Sequence, residues 1–190
     1  MKLLEDKILT DGIILPGNVL KVDSFLSQQI DAPLMEKLAE EWYRLFENEK
    51  ITKIVTIEAS GIGIACIAAL KFGVPVVYAK KMRGANPSSD YYSSKIVSYT
   101  HGTSYNVVIP KMHISDSDNV LIIDDFLANG SALRALIKIC ENAGAKVCGV
   151  GIAIEKTYQG GADKIRNMGY RIESLAKIKK MDDIGGIEFC

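Results

Sequence analysis

The sequence predicts an α/β fold, a parallel sheet flanked by helices. Three observations carry that expectation. Lys53-Ile54-Val55-Thr56-Ile57, a tight glycine turn, a small-residue helix from Ile64 to Lys71 and a second apolar strand, Pro75 to Ala79, together read as a βαβ unit. Val120-Leu121-Ile122-Ile123 is apolar at every position, as a strand covered on both faces requires. Two more strands, Lys146 to Ile154 and Tyr170 to Ala176, follow a helix at Ser131 to Ala143 that Gly144 closes.

The remaining elements follow in chain order. Asp31 can cap a helix whose first turn holds Pro33, and Leu34, Leu38, Trp42 and Leu45 then recur at helical spacing. Phe72-Gly73 ends the small-residue helix. Asp90 to Thr100 and Tyr105 to Pro110 read as two extended arms of a hairpin or long loop around His101-Gly102-Thr103. No repeat, low-complexity stretch or linker interrupts the chain, so residues 1–190 are expected to form a single domain with a decorated N-terminus. A chain of 190 residues buries on the order of 70% of its unfolded surface, enough for a sizeable core.

Composition excludes several classes. Apolar residues are 48% and charged residues 24%, an ordinary globular balance. Lys plus Arg equals Asp plus Glu, 23 each, which argues against a general nucleic-acid binder. The start, Met1 to Lys7, has neither the basic nor the apolar region of a signal peptide, and no apolar stretch is long enough to span a bilayer. Cys66, Cys140, Cys148 and Cys190 show no C-x-x-C spacing. They are expected to be reduced thiols acting as small buried hydrophobes in a cytoplasmic protein. His101 and His113 have no visible metal partners and read as loop or surface residues; no protein metal site is expected.

The chemistry concentrates between Val120 and Ala132. The apolar strand ends in Asp124-Asp125, at the edge where open α/β sheets bind ligands. Strand alternation points neighbours to opposite faces, so the pair is not expected to act as one chelate. One acid is free for sugar hydroxyls while the other turns toward a metal or a basic group. After Phe126-Leu127, the small residues Ala128-Asn129-Gly130-Ser131-Ala132 let backbone N–H groups approach an anion, and the following helix adds its positive end.

This segment, VLIIDDFLANGSA, resembles the phosphoribosyl-pyrophosphate (PRPP) signature of the type I phosphoribosyltransferases. The resemblance implies that family's Rossmann-like sheet, with a small hood built from about residues 1–35 and a flexible loop. It implies that Asp124 and Asp125 bind ribose, and that Ala128, Asn129, Gly130, Ser131 and Ala132 hold the 5′-phosphate. Glu58-Ala59-Ser60-Gly61 resembles the family's pyrophosphate loop, so Ala59, Ser60 and Gly61 are assigned there, with Lys80 and Lys81 as the basic pair that meets pyrophosphate. Met82 to Tyr105 occupies the place of the loop that closes over the site. Mg²⁺, complexed to PRPP or pyrophosphate, is the implied cofactor and a homodimer the implied assembly. One departure stands out. Ala128 sits where members acting on hypoxanthine and guanine carry a third acid.

Over nearly its whole length the chain is also similar to the bacterial xanthine-acting branch of the family, notably at Leu15 to Asp31 and in the Ala-Ile-Glu-Lys run ending at Lys156. This implies that Leu20 and Ser27 contact the purine and that Lys156 meets its 6-oxo edge. A lysine donates to an oxo group and disfavours the amino group of adenine. Ser27 suits a 2-oxo or a 2-amino group, so it leaves xanthine and guanine open. Phe126 is placed either to stack on the purine or simply in the core. The competing readings are an adenine or a guanine/hypoxanthine enzyme of the same fold, a PRPP-sensing purine regulator and a non-catalytic nucleotide-binding module.

Overall fold

A strand that is apolar at every position needs cover on both of its faces, and alternation decides which residue meets which cover. The structure, a computed structural model, describes residues 1–83, 87–98, 103–182 and 186–190. In it Ile54, Leu121 and Ile123 face one core, shared with Trp42, Phe46 and Ile64. Their neighbours Val55, Val120 and Ile122 face a second core, shared with Leu136, Ile139 and Ile165.

The N-terminal segment holds α1 (Lys2–Asp11), a hairpin of β1 (Ile13–Leu15) and β2 (Val19–Lys21), a π-turn (Asp23–Ser27) and α2 (Ala32–Phe46). Next come β3 (Lys53–Ile57), α3 (Gly61–Phe72), β4 (Val76–Met82), β5 (Tyr91–Ser98) and β6 (Thr103–Pro110). The chain continues with β7 (Asn119–Leu127), α4 (Ser131–Asn142), β8 (Lys146–Lys156), α5 (Gly161–Arg166), β9 (Ile172–Asp182) and β10 (Gly186–Phe189). The main sheet has the order β10-β9-β8-β7-β3-β4-β6-β5. Strands β4, β3, β7, β8 and β9 run parallel, and antiparallel strands extend the sheet at both edges.

The capping expectation holds at α2: Asp31 accepts a hydrogen bond from the Leu34 N–H at 3.1 Å, and Pro33 lies in the first turn. Helix α3 ends on Gly73 in a left-handed conformation, as Phe72-Gly73 suggested. The two arms pair in register from Tyr91–Pro110 to Ser98–Thr103. Their expected turn around His101-Gly102 lies outside the described residues.

Several boundaries move. Helix α3 starts at Gly61 rather than Ile64, β7 runs through the acid pair to Leu127, and β9 reaches Asp182. Helix α1 and strand β10 carry little sequence signal: α1 buries only Leu4 and Ile8, and β10 spans four residues. Among the described residues no helix is long and apolar enough to cross a membrane. All four cysteines are free, but only Cys140 is the buried hydrophobe expected; Cys66 and Cys190 are exposed and Cys148 is half-buried. Burial, helped by the charge of Asp118, pushes the Cys140 thiol up to about 12. His113 is exposed in a short turn, where its carbonyl accepts from Lys53 Nζ at 2.7 Å.

Close packing of α2 on the sheet rests on Gly151. A β-carbon there would fall 2.6 Å from Ile123 Cδ1 and 2.9 Å from the Trp42 indole nitrogen. Gly151→Ala is therefore expected to destabilise the protein by about 1–3 kcal/mol, the usual cost of overpacking, read as a lower urea midpoint.

Candidate active site

The sheet changes its direction of growth at β3, which has β4 on one side and β7 on the other. Such a switch opens a crevice at the carboxyl ends of the strands, where α/β sheets take ligands. Positions singled out for ribose, pyrophosphate and base stand at these ends. Ala59, Ser60 and Gly61 follow β3, Lys80 and Lys81 end β4, Asp124 to Phe126 end β7, and Lys156 is the last residue of β8.

Asp124 and Asp125 are both buried. Beyond Ile122 the pairing with β3 stops, and side chains take over as acceptors. The Asp125 N–H donates to Asp124 Oδ1 at 3.0 Å, and the Phe126 N–H to Asp125 Oδ1 at 2.9 Å. Each of these short side chains thus accepts from the next residue's N–H, where the pairing with β3 has ended. Burial first, then Asp125, raises the Asp124 carboxyl well above the usual range; the charge of Lys81 opposes the shift.

Helix α3 begins directly over this pair. A β-carbon on Gly61 would lie 2.2 Å from Thr56 Oγ1 and 2.9 Å from Asp124 Oδ1, so only glycine permits the approach. Thr56 is fully buried, and its hydroxyl has no hydrogen-bond partner among the described residues. The preceding Glu58–Ala59 peptide is cis. Glu58 ties this loop to β4: its N–H donates to the Ala79 carbonyl at 3.0 Å, and its Oε1 accepts from the Lys81 N–H at 2.6 Å. The two lysines separate by alternation. Lys80 lies over the Tyr78 ring on one side of β4, while Lys81 is the one whose charge reaches Asp124.

The turn Ala128 to Ala132 leads into α4 through Gly130, whose φ of 79° is left-handed. The first-turn N–H groups of a helix have no carbonyl one turn back, which leaves them for an anion. Here the Asn129 carboxamide oxygen accepts from the Ser131 N–H at 2.9 Å. Arg134, one turn along, donates to the Asn129 carbonyl at 3.2 Å and to Ser131 Oγ at 3.3 Å, bracing the turn and adding positive charge. Neither Arg134 nor Thr56 stood out in the sequence. The one signal was a lone polar residue inside the apolar run Lys53 to Ile57.

On the other flank, Lys156 reaches the N-terminal hairpin and donates to the Asn18 carbonyl at 3.2 Å. Its ammonium sits 5.8 Å from the centre of the Phe126 ring. Partial burial lowers its pKa below the ordinary lysine value. Phe126 is half-buried and packs on the apolar cluster containing Leu20 and Leu26. Leu20 is buried in β2 opposite Ile14. Ser27 closes the π-turn, half-buried, its hydroxyl unbonded among the described residues. Lys156 and Phe126 thus meet at the ends of β8 and β7, next along the chain from the acid pair, and Lys156 contacts the hairpin that carries Leu20.

Comparison with known proteins agrees with this geometry. Residues 21–182 match the family model described as "Phosphoribosyl transferase domain". The chain is 54% identical over 182 residues to a protein named xanthine phosphoribosyltransferase from Lachnoclostridium phytofermentans, covering 96% of this chain and 94% of that one. It is 49% identical over 191 residues to a protein of the same name from Bifidobacterium adolescentis, covering 100% and 99%. Among solved structures, APRTase from Giardia lamblia in complex with 9-deazaadenine superposes with a TM-score of 0.78 at 23% identity, covering 93% and 98%, and shares the fold.

Proposed function

The chain belongs to the phosphoribosyl transferase domain family, and on that premise we propose that it is a pentosyltransferase that moves the 5-phosphoribosyl group of PRPP onto xanthine. The products are xanthosine 5′-monophosphate and pyrophosphate, a purine-salvage reaction. The observation that carries the base assignment is Lys156: a half-buried cation at the end of β8, beside Phe126 and the ribose acids, offering donors to a 6-oxo group. The near-50% identity to xanthine phosphoribosyltransferases along the whole chain supports the same base.

In this reading Asp124 and Asp125 hold the ribose hydroxyls, and Ala128 to Ala132 wrap the 5′-phosphate with Arg134 behind them. Ala59, Ser60, Gly61 and Lys81 face pyrophosphate, with Lys80 directed to the far side of β4. Leu20, Ser27, Phe126 and Lys156 surround the purine. As the C1–oxygen bond to pyrophosphate breaks, positive charge builds on the ribose ring, and a purine nitrogen that has lost its proton to solvent before binding bonds to C1 from the opposite face. The protein contributes position and charge rather than a covalent intermediate. The buried acid pair stabilises the cationic ring, and Lys81 offsets charge on the departing pyrophosphate.

Mg²⁺ fits this site as a companion of the substrate. A cation beside the buried acids Asp124 and Asp125 would offset the burial and the neighbouring charge that raise the Asp124 carboxyl. When bound, Mg²⁺ neutralises the pyrophosphate leaving group. The segment Met82 to Tyr105, which includes the β5–β6 arm, is assigned to cover the site and exclude water from the ribose cation. Residues 1–190 are taken as one domain acting in the cytoplasm as a homodimer, with residues 1–35 as the hood.

The test is a panel of xanthine, guanine, hypoxanthine and adenine with PRPP and Mg²⁺, scored for nucleotide and pyrophosphate. The highest kcat/KM is expected for xanthine and the lowest for adenine. Equal use of adenine would overturn the role of Lys156, and absence of any pyrophosphate release would overturn the enzyme reading.

A further inference from the structure

Glu155 is a buried carboxylate that the reaction above does not use. It precedes Lys156 on β8, so the two side chains leave the strand on opposite faces. Glu155 receives a two-pronged contact from Arg166 of α5, at 3.3 Å and 3.0 Å, and a hydrogen bond from Ser174 of β9. The acid's relative exposure is 3% against 34% for the arginine, so this pair is far less screened than the chain's surface pairs.

The same arginine anchors the helix that supports the phosphate turn. At the start of α5, a β-carbon on Gly161 would fall 2.2 Å from the Ala128 carbonyl oxygen, 2.7 Å from the Asn129 carbonyl carbon and 2.7 Å from the Gly130 nitrogen. Gly130 in turn faces Gly161. Backbone therefore lies on backbone, and a small displacement of α5 shifts the turn directly. In the sheet register, Glu155 stands opposite Leu127, the residue before the turn.

We infer that Glu155 and Arg166 are positioning residues that tie base recognition at Lys156 to sugar-phosphate binding at Ala128 to Ala132. The inference rests on the site assignments proposed above. Removing the pair loosens both ends together: α5 no longer holds the turn, and the end of β8 no longer fixes the base-side lysine.

Arg166→Ala, Arg166→Lys and Lys156→Ala, singly and combined, test this alongside Lys179→Ala, an exposed lysine on β9 paired with Glu188. Calorimetric binding of PRPP with Mg²⁺ and steady-state kinetics with xanthine are the readouts. Arg166→Ala is expected to weaken PRPP binding about tenfold and to raise the KM for xanthine more than it lowers kcat. With Lys156→Ala, its effects on kcat/KM should be non-additive, whereas Lys179→Ala should be additive with either. Arg166→Lys, which keeps the charge and loses the fork, should recover part of the PRPP affinity and decides the matter if Arg166→Ala does not fold. A lower melting temperature with unchanged PRPP affinity and simple additivity would overturn the inference and leave the pair a plain structural contact. Wild-type protein that binds PRPP but does not use xanthine would instead overturn the base assignment, while the PRPP arm still reads the coupling between Arg166 and the turn.

Discussion

Replacing Asp124 and Asp125 together with asparagine is expected to lower kcat/KM for PRPP by about 10²–10³-fold, the usual scale for removing preorganised electrostatic stabilisation. The asparagines keep the shape and can still accept from the Asp125 and Phe126 N–H groups, so the loss reports charge rather than collapse. Stability should move the other way. Asp124 has a folded-state pKa raised above its unfolded value by burial and by Asp125. Such a group favours the folded state fully only below the unfolded pKa, and that contribution disappears as pH rises through the folded pKa. At neutral pH the ligand-free protein therefore carries an electrostatic penalty that Asp124→Asn removes. Its melting temperature should exceed the wild type's by about 2–4 °C for each kcal/mol relieved, with the gain vanishing in acid. Thermal melts of both proteins across pH check this. Near-normal turnover in the double variant would remove the ribose assignment, and an Asp124→Asn protein that is less stable at pH 7 would contradict the raised carboxyl.

Replacing Lys156 with alanine is expected to lower kcat/KM for xanthine, guanine and hypoxanthine by about 10–100-fold, the range for losing a charged hydrogen bond in a partly buried site. Whatever slow reaction occurs with adenine should change little, since a 6-amino group has no acceptor for the ammonium there. The structure sharpens the expectation in one respect. Partial burial holds the Lys156 pKa below the ordinary value, so use of 6-oxopurines should decline on the alkaline side earlier than an exposed lysine would dictate. An equal loss with all four bases would mean that Lys156 supports the fold of the hairpin through Asn18 rather than reading the base.

What could be read in one dimension follows from what is local. Val120 to Ala132 announces a buried strand, an acid pair, an anion turn and a helix because each needs only neighbouring residue types. The cap at Asp31 and the stop at Gly73 were legible for the same reason. Spacing alone did not show that the Asp124 and Asp125 side chains accept from the next backbone N–H groups, since that depends on β3 having left the pairing there. Which lysine of the Lys80-Lys81 pair faces the acids also depends on the register of β4 against its neighbours, not on the lysines themselves.

By itself, the sequence determined that this chain is a parallel-cored α/β protein with a phosphoribosyl-type turn, because apolar continuity and short motifs are properties of contiguous residues. Only the tertiary structure decided how the site is supported. Gly61 lies against Thr56 and Asp124, Arg134 braces Ser131, Gly161 lies on Ala128, Arg166 grips Glu155, and Lys156 reaches Asn18 across 138 positions of chain. Those contacts arise when separate strands end side by side, and a spacing pattern holds no record of which ends become neighbours.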